Sequence, residues 1–476
     1  MKKNIIKGFA ISFIALSLLG LNSCRQELDI NADPNNPTDV PSRTLLAGSE
    51  INIGYIVGGA ATRMPASIIQ HYGGHRGQPL DYARFNITSS ATDGLWTSGY
   101  DVLMDLNALE EKSIKLNDKI YQGVSQILKA YIFSILTDSF GDIPFKEALQ
   151  GSRNINPSYD KQEVIYQELI KMIDNGIANV KSNVGNKPTS DDFIFAGNIQ
   201  KWEMFGNSLK LRLYNHLSKK NPSAAASFLA TNPVLIESSV NNAKVTFGTS
   251  ASNANPIYQF DILSGRKDQA VSKTIVDKML SLNDPRANVY FTKITKGATF
   301  IGQIRGNEPG GDTDDSGESL YSRVGSAYAS INSPVVLMSA AEVNFIKAEI
   351  YHRAGDVTNS KTAYENAIKE DFSALGLSGS ASYISTANVV FNGTLERIME
   401  QKWITMFQAS YESWVDWRRT GFPQLVAPTI NRTSNVFPRR LPYPQVEINV
   451  NGAALSAGPG IPIPFETLKT KVWWDQ

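Results

Sequence analysis

The chain has 476 residues, 42% hydrophobic and 10% aromatic, which is enough apolar material to bury a large core. Its 46 basic and 45 acidic side chains balance to a formal charge of +1, so there is no basic excess of the kind a nucleic-acid partner needs. A single cysteine, Cys24, excludes an internal disulfide.

The chain opens with Lys2, Lys3 and Lys7, followed by a continuous apolar run over residues 8–21 and then Leu21-Asn22-Ser23-Cys24. A bilayer-spanning helix needs about 20 apolar residues, so the run is too short to span and fits the core of a signal peptide. A small residue followed by Cys resembles the lipobox of bacterial lipoproteins. That resemblance implies cleavage before Cys24 and lipidation of its sulfur; the alternative is an ordinary signal peptide with a chance cysteine nearby. Loss of the three lysines brings the formal charge to about −2. No long apolar stretch follows, so acyl chains on Cys24 are the expected membrane attachment, and a single chain would hold only marginally. Residues 24–41, rich in Asp, Asn and Pro, read as a lipidated tether. Residues 42–476 are expected to form a single domain.

Helical periodicity then dominates, giving a mainly α fold with little strand. Residues 96–115 place Val102, Leu103, Leu106 and Leu109 at three- and four-residue spacing, and residues 120–136 do the same with Val124, Ile127, Leu128, Tyr131 and Ile135. Asp160 followed by Glu163 looks like a capping box before a stripe of Ile165, Leu169, Ile173 and Ile177. Further helices are predicted over 202–217, 272–282, 335–354, 360–371 and 395–408. Ala348, Tyr351, Gly355, Ser360, Tyr364 and Ala367 have the spacing of the small and aromatic positions of a tetratricopeptide repeat. Such helix pairs bury their faces by stacking on neighbours. Residues 64–92, 245–269, 295–332 and 420–476 are rich in Gly, Pro, Ser, Asn and Tyr and are expected to be long irregular loops, which usually carry function.

Catalytic and metal patterns are sparse. His71 and His75 are four apart but separated by Gly73-Gly74, which argues against a helical metal pair. Asp312, Asp314 and Asp315 lie in a glycine-rich loop whose alternating carboxylates are a candidate structural calcium site, although no downstream Glu stands at the usual spacing. No other cofactor is expected. There is no G-x-S-x-G elbow, P-loop or dinucleotide fingerprint. Glycoside hydrolysis needs only two facing carboxylates, so a surface glycan hydrolase stays open at this point.

Specific blocks recur along the chain. They are Asp138-Ser139-Phe140-Gly141-Asp142-Ile143-Pro144-Phe145, the segment from Trp202 to Arg212 (WEMFGNSLKLR), Asn283-Asp284-Pro285-Arg286, and Ala341 to Glu349. Gln401-Lys402-Trp403, the segment from Glu412 to Pro423, Pro438 to Pro444, Glu447 and Trp473-Trp474 complete the series. Physically these blocks read as scaffold, with Arg418, Arg419, Arg439 and Arg440 in non-helical chain bonding loop carbonyls and carboxylates such as Glu412 and Asp416. In this order the blocks resemble the SusD/RagB family of Bacteroidetes nutrient-binding lipoproteins, and within it the SusD-like branch described as starch-binding.

The resemblance implies a SusD-like fold and a non-enzymatic role at the outer membrane. Its members bind glycans, or in some branches peptides, and sit as a lid on a SusC-type TonB-dependent barrel. A neutral sugar is held by stacking on aromatic rings and by a few oriented polar groups. Members of the family use an aromatic near the helix that begins around residue 96, so Trp96 is the first candidate. Tyr72, Arg76 and Tyr82 in the preceding loop, Tyr258 in a second segment, and Tyr321 and Tyr328 in a third are the other ligand-binding candidates.

Overall fold

The computed structural model describes residues 39–311 and 317–476, and the chain is mostly helical with little strand. Cys24, the tether as far as residue 38, and Asp312, Asp314 and Asp315 lie outside the described residues.

The first helices are α1 (Ser42–Gly58) and α2 (Ala60–Ile68), which break at Gly59, where a Cβ would come within 2.5 Å of the Tyr55 carbonyl oxygen. A short α3 (Gly77–Ala83) follows. Helix α1 fills a stretch to which periodicity assigns no element, and the end of α2 and all of α3 fall in the expected loop over 64–92. The reason is that α1 is buried on several sides and carries Gly48, Gly54 and Gly58, so its apolar residues show little one-sided pattern.

Next come α4 (Ser89–Leu116) and α5 (Lys119–Phe140), joined through Asn117 in the left-handed region at φ 57°. Val102, Leu103, Leu106 and Leu109 are buried along α4, as their spacing requires. Helix α5 is buried on every side from Ile120 to Phe140, the mark of a central helix. Its polar residues are satisfied internally. Lys129 pairs with Glu110, and Gln126 bonds Glu110 at 2.7 Å and accepts from Asn179 at 2.9 Å.

Two short strands, β1 (Ile143–Pro144) and β2 (Tyr159–Asp160), pair antiparallel ahead of α6 (Gln162–Lys181). Asp160 does not cap α6. Its Oδ2 instead accepts from the Lys146 backbone N–H at 2.8 Å, closing the β1–β2 turn. The start of α6 is capped from across the chain by Asp142, whose Oδ1 accepts from the Gln162 N–H at 2.8 Å. Helices α5 and α6 cross closely at Gly123 and Gly176; a Cβ on Gly123 would come within 2.4 Å of the Gly176 carbonyl oxygen. Helix α7 (Ile199–His216) packs on α6 and is capped by Asn198, whose side chain accepts from the Lys201 N–H at 3.1 Å.

The second sheet pairs β3 (Ala243–Val245) with β4 (Val335–Met338), antiparallel. Residues 335–338 were expected to be helical; Ser339, the true N-cap, accepts from the Glu342 N–H at 3.1 Å and starts the helix only after them. Between the strands lies α8 (Lys273–Ser281), capped by Ser272. After β4 come α9 (Ala340–Arg353) and α10 (Val357–Ala374), turning at Gly355 with φ 74°. Ala348, Tyr364 and Ala367 are fully buried between them, and Ser360 Oγ donates to the Ala348 carbonyl at 2.9 Å.

The last long helices are α11 (Leu395–Thr405) and α12 (Ser410–Thr420). Arg418 and Arg419 therefore sit in a helix, not in irregular chain. The Arg418 guanidinium stacks 3.7 Å from the Trp414 ring centroid and donates to the Asp138 carbonyl at 2.7 Å. Arg419 is held by Glu349 and Asp416, and Arg439 by Asp475 at 2.8 Å. Trp474 Nε1 donates to Asp138 at 2.7 Å, so the C-terminal blocks lock the chain end onto the end of α5.

Candidate functional site

A cleft of about 580 Å³ opens where α1, α2 and α4 meet the segment after β3. The break at Gly59 turns α2 against α1, so Asn52 and Tyr55 face Arg63 across the corner. From α4, Gly94, Ser98 and Asp101 contribute at four- and three-residue spacing. All three are exposed, on the side of the helix away from the buried Leu103 and Leu106.

The third wall is built by Asn255. Its side chain accepts from the N–H groups of Ile257 at 2.8 Å and Tyr258 at 3.1 Å, and its amide donates to the Ser333 carbonyl at 2.9 Å. That anchor starts a helical turn at Pro256–Tyr258 and turns Gln259 and Phe260 into the cleft. Gln259 Nε2 donates to the Ala254 carbonyl at 3.1 Å. Tyr55 packs on Phe247 with ring centroids 5.2 Å apart and stays half-buried. The Arg63 guanidinium lies 4.4 Å from the Phe260 centroid, and Arg266 lies 4.9 Å from the same ring. Burial pushes the Arg63 guanidinium below its ordinary pKa and Arg266 acts the same way, while the phenols of Tyr82 and Tyr72 oppose them.

Chemically the cleft offers the rings of Tyr55 and Phe260, the side-chain amides of Asn52 and Gln259, the Ser98 hydroxyl, a carboxylate and a cation. That is a set suited to holding a hydroxyl-rich ligand by stacking and directed hydrogen bonds.

The residues singled out from sequence surround this cleft more than they line it. Trp96 is 5% exposed and packed among Tyr100 at 4.9 Å, Phe140 at 5.2 Å, Tyr159 and Tyr443, so its ring offers a sugar no face. Tyr72 and Tyr82 are buried behind Arg63. Tyr328 packs on Tyr290 at 5.2 Å and Phe407 at 6.0 Å. Tyr258 is half-buried beside the lining residues Gln259 and Phe260. Arg76 pairs with Asp268 at 2.7 Å, and Tyr321 lies against His75 at 6.3 Å. Two of the expected regions, the start of α4 and the segment from residue 258, do converge here, but through Ser98, Asp101, Gln259 and Phe260. Tyr55 and Arg63 went unnoticed because no motif marks α1 and α2.

His71 is buried, its ring nitrogens held by Ser410 Oγ and the Trp403 carbonyl, both at 2.9 Å, and burial pushes its pKa down to about 3. It serves as a core residue. Among the described residues no group of three or more His, Cys, Asp or Glu is placed to hold a metal ion.

Comparison with known proteins bears on this architecture. The family model SusD-like, described as starch-binding and associating with outer membrane, matches residues 34–444. A chitin-binding SusD homolog from Flavobacterium johnsoniae is similar over 91% of this chain and 97% of its own, with 24% identity and a TM-score of 0.78. A SusD homolog from Bacteroides uniformis is similar over 91% and 99%, with 25% identity and a TM-score of 0.74. A SusD-like protein from Bacteroides thetaiotaomicron is similar over 91% and 98%, with 23% identity and a TM-score of 0.78. No curated protein matches the chain significantly.

Proposed function

This chain belongs to the SusD-like family, and on that premise we propose that it is a non-catalytic surface protein that binds oligosaccharides in the cleft between Tyr55, Ser98 and Gln259. It passes them to a SusC-type TonB-dependent barrel, held at the outer membrane by lipid on Cys24. The observation that carries the reading is the cleft itself, open, preformed and large enough for a few sugar rings. Its half-buried tyrosine and paired amides match the chemistry of glycan binding. Among the described lining residues Asp101 is the one carboxylate, whereas glycoside hydrolysis works with two. The family's description as starch-binding and associating with outer membrane, and a chitin-binding structural relative, point the same way. No described helix is long and apolar enough to cross a membrane, which is compatible with attachment by lipid.

Two measurements test this. A calorimetric screen of soluble oligosaccharides against oligopeptides should find binding among the glycans and no turnover of them; binding confined to peptides would overturn the ligand class. Mild detergent extraction with a C-terminal tag should bring down a large barrel protein, and Cys24→Ala should release the chain from the membrane fraction. Capture without any barrel would remove the partner.

A further inference from the structure

The cleft contains a cation, Arg63, that no described acid pairs with. Arg63 is half-buried, yet its guanidinium makes no hydrogen bond or ion pair with any described residue. Its contact is with a ring, Phe260, at 4.4 Å. The charge nearest in effect is a like one, Arg266, over the same ring. Arg266 has its own acid, Asp268, at 2.9 Å, and buried Asp261 is taken by Arg323. Asp101 is exposed on another wall and does not figure among the charges that act on Arg63. Elsewhere in this protein buried arginines are satisfied by acceptors, Arg418 by the Asp138 and Arg439 carbonyls and Arg440 by the Phe140 carbonyl. Arg212, Arg286 and Arg419 each hold at least one carboxylate.

A half-buried guanidinium without an acid partner has lost part of its hydration with nothing in return, and proteins pair such groups as a rule when they cover them. An unpaired one in an open cleft is matched by an anion that arrives with the ligand. The planar fork of Arg fits a carboxylate with two parallel bonds. Contact with the Phe260 ring at 4.4 Å restricts the side chain in advance, so less freedom is lost on binding.

We propose that the ligand is an acidic glycan, whose carboxylate seats on Arg63 while a neighbouring ring stacks on Tyr55. This rests on the glycan-binding reading above and narrows it to sugars such as uronic acids. Neutral sugars make the Tyr55 and Gln259 contacts but leave Arg63 unpaired.

The test uses matched ligands. Oligogalacturonate, oligoalginate and hyaluronan fragments are each titrated into the detergent-solubilised full-length protein beside the same oligosaccharide with its carboxyl groups methyl-esterified or reduced. At least one acid form should bind about tenfold or more tightly than its neutral twin. That preference should shrink as salt is raised. Arg63→Gln should bring the two forms to equal affinity, and Arg63→Lys, which keeps the charge and loses the fork, should fall between. If no acid form is preferred over its twin in the wild-type protein, the proposal is overturned, whether or not the variants fold. Binding of neutral glycans in that case would leave the broader glycan-binding reading standing; failure of every glycan, with peptides bound, would remove both.

Discussion

Arg212 and Glu342 form a two-point ion pair inside the protein, Nε to Oε1 at 2.6 Å and Nη2 to Oε2 at 2.7 Å, with both side chains 1% exposed. The pair ties α7 to α9, and Arg212 Nη2 also donates to the Leu337 carbonyl at 3.0 Å where β4 ends. Breaking such a pair from one side leaves a buried charge without compensation, which costs about 3–5 kcal/mol. Glu342→Gln should therefore lower the urea midpoint by that equivalent with little change in the slope of the transition. A loss under about 1 kcal/mol would mean that Arg212 finds another acceptor, Glu412 at 3.5 Å being the nearest.

Beside that pair, His216 is held between Glu412, at 3.0 Å from Nε2, and Asp138, at 3.3 Å from Nδ1. Burial disfavours the imidazolium, but the two carboxylates more than reverse this and its pKa rises to about 9. Because the folded value lies above the ordinary 6.5, the proton stabilises the fold fully below that value, and the contribution fades as pH climbs through about 9. It amounts to something on the order of 3 kcal/mol. The stability gap between wild type and His216→Gln should be widest near pH 6 and should close between pH 7 and 9. A gap independent of pH would show that the ring acts by packing alone.

Glu50 presents the opposite case. It is fully buried on α1, with Oε2 accepting from the Phe193 N–H at 2.5 Å and Oε1 unpartnered. Burial raises its pKa well above the ordinary range, and the neighbouring Asp192 adds to the rise. Asp192 in turn accepts from the N–H groups of Ile194, Phe195 and Gly197 and from Trp202 Nε1. A raised carboxyl pKa stabilises the fold below the ordinary carboxylate value and loses that contribution as pH rises. Glu50→Gln should thus raise the denaturation midpoint at pH 8, and the gain should vanish below about pH 4. Destabilisation at pH 8 would show that the carboxylate itself is needed there.

These pairs explain what could be read in the sequence. Arg212, Glu342, Glu412, Arg418 and Asp138 all belong to the blocks that resemble the SusD/RagB family, and all lie in the interior. The motifs record how helices are locked together, so they disclose the fold and are silent about ligand. Long amphipathic helices such as α4 and α6 were legible because one face is buried and the other wet. Helix α1 was not, since neighbours cover it on several sides, and residues 335–338 were misassigned because four apolar residues in a row suit strand and helix alike. The cleft was least legible. Tyr55, Arg63, Ser98 and Gln259 come from four separate stretches, and no spacing rule connects them.

The cleft's contribution can be separated from the fold's. Tyr55 is half-buried and spends part of its surface on Phe247. Ring stacking of a sugar is comparable to an aromatic contact of about 1 kcal/mol, so Tyr55→Ala should weaken glycan binding by about fivefold. Titration calorimetry on a variant whose circular dichroism matches wild type would measure it, and unchanged affinity would move the site away from this corner.

Trp96 is the contrasting position, and it decides between two uses of an aromatic at the start of α4. Its indole lies in a cluster with Phe140, Tyr159 and Tyr443, and Tyr100 beside it donates to the Pro144 carbonyl at 2.7 Å. Removing the ring would open a cavity between α4, the end of α5 and the β1–β2 pair. Trp→Ala changes at such positions cost about 3–5 kcal/mol. Trp96→Ala should therefore show its effect in denaturation, with the surviving folded protein binding glycan at near wild-type affinity. If the variant instead kept its stability and lost binding, the ring would have to swing out of the core to meet ligand, and the cleft would extend along α4 toward Tyr100 and Tyr159.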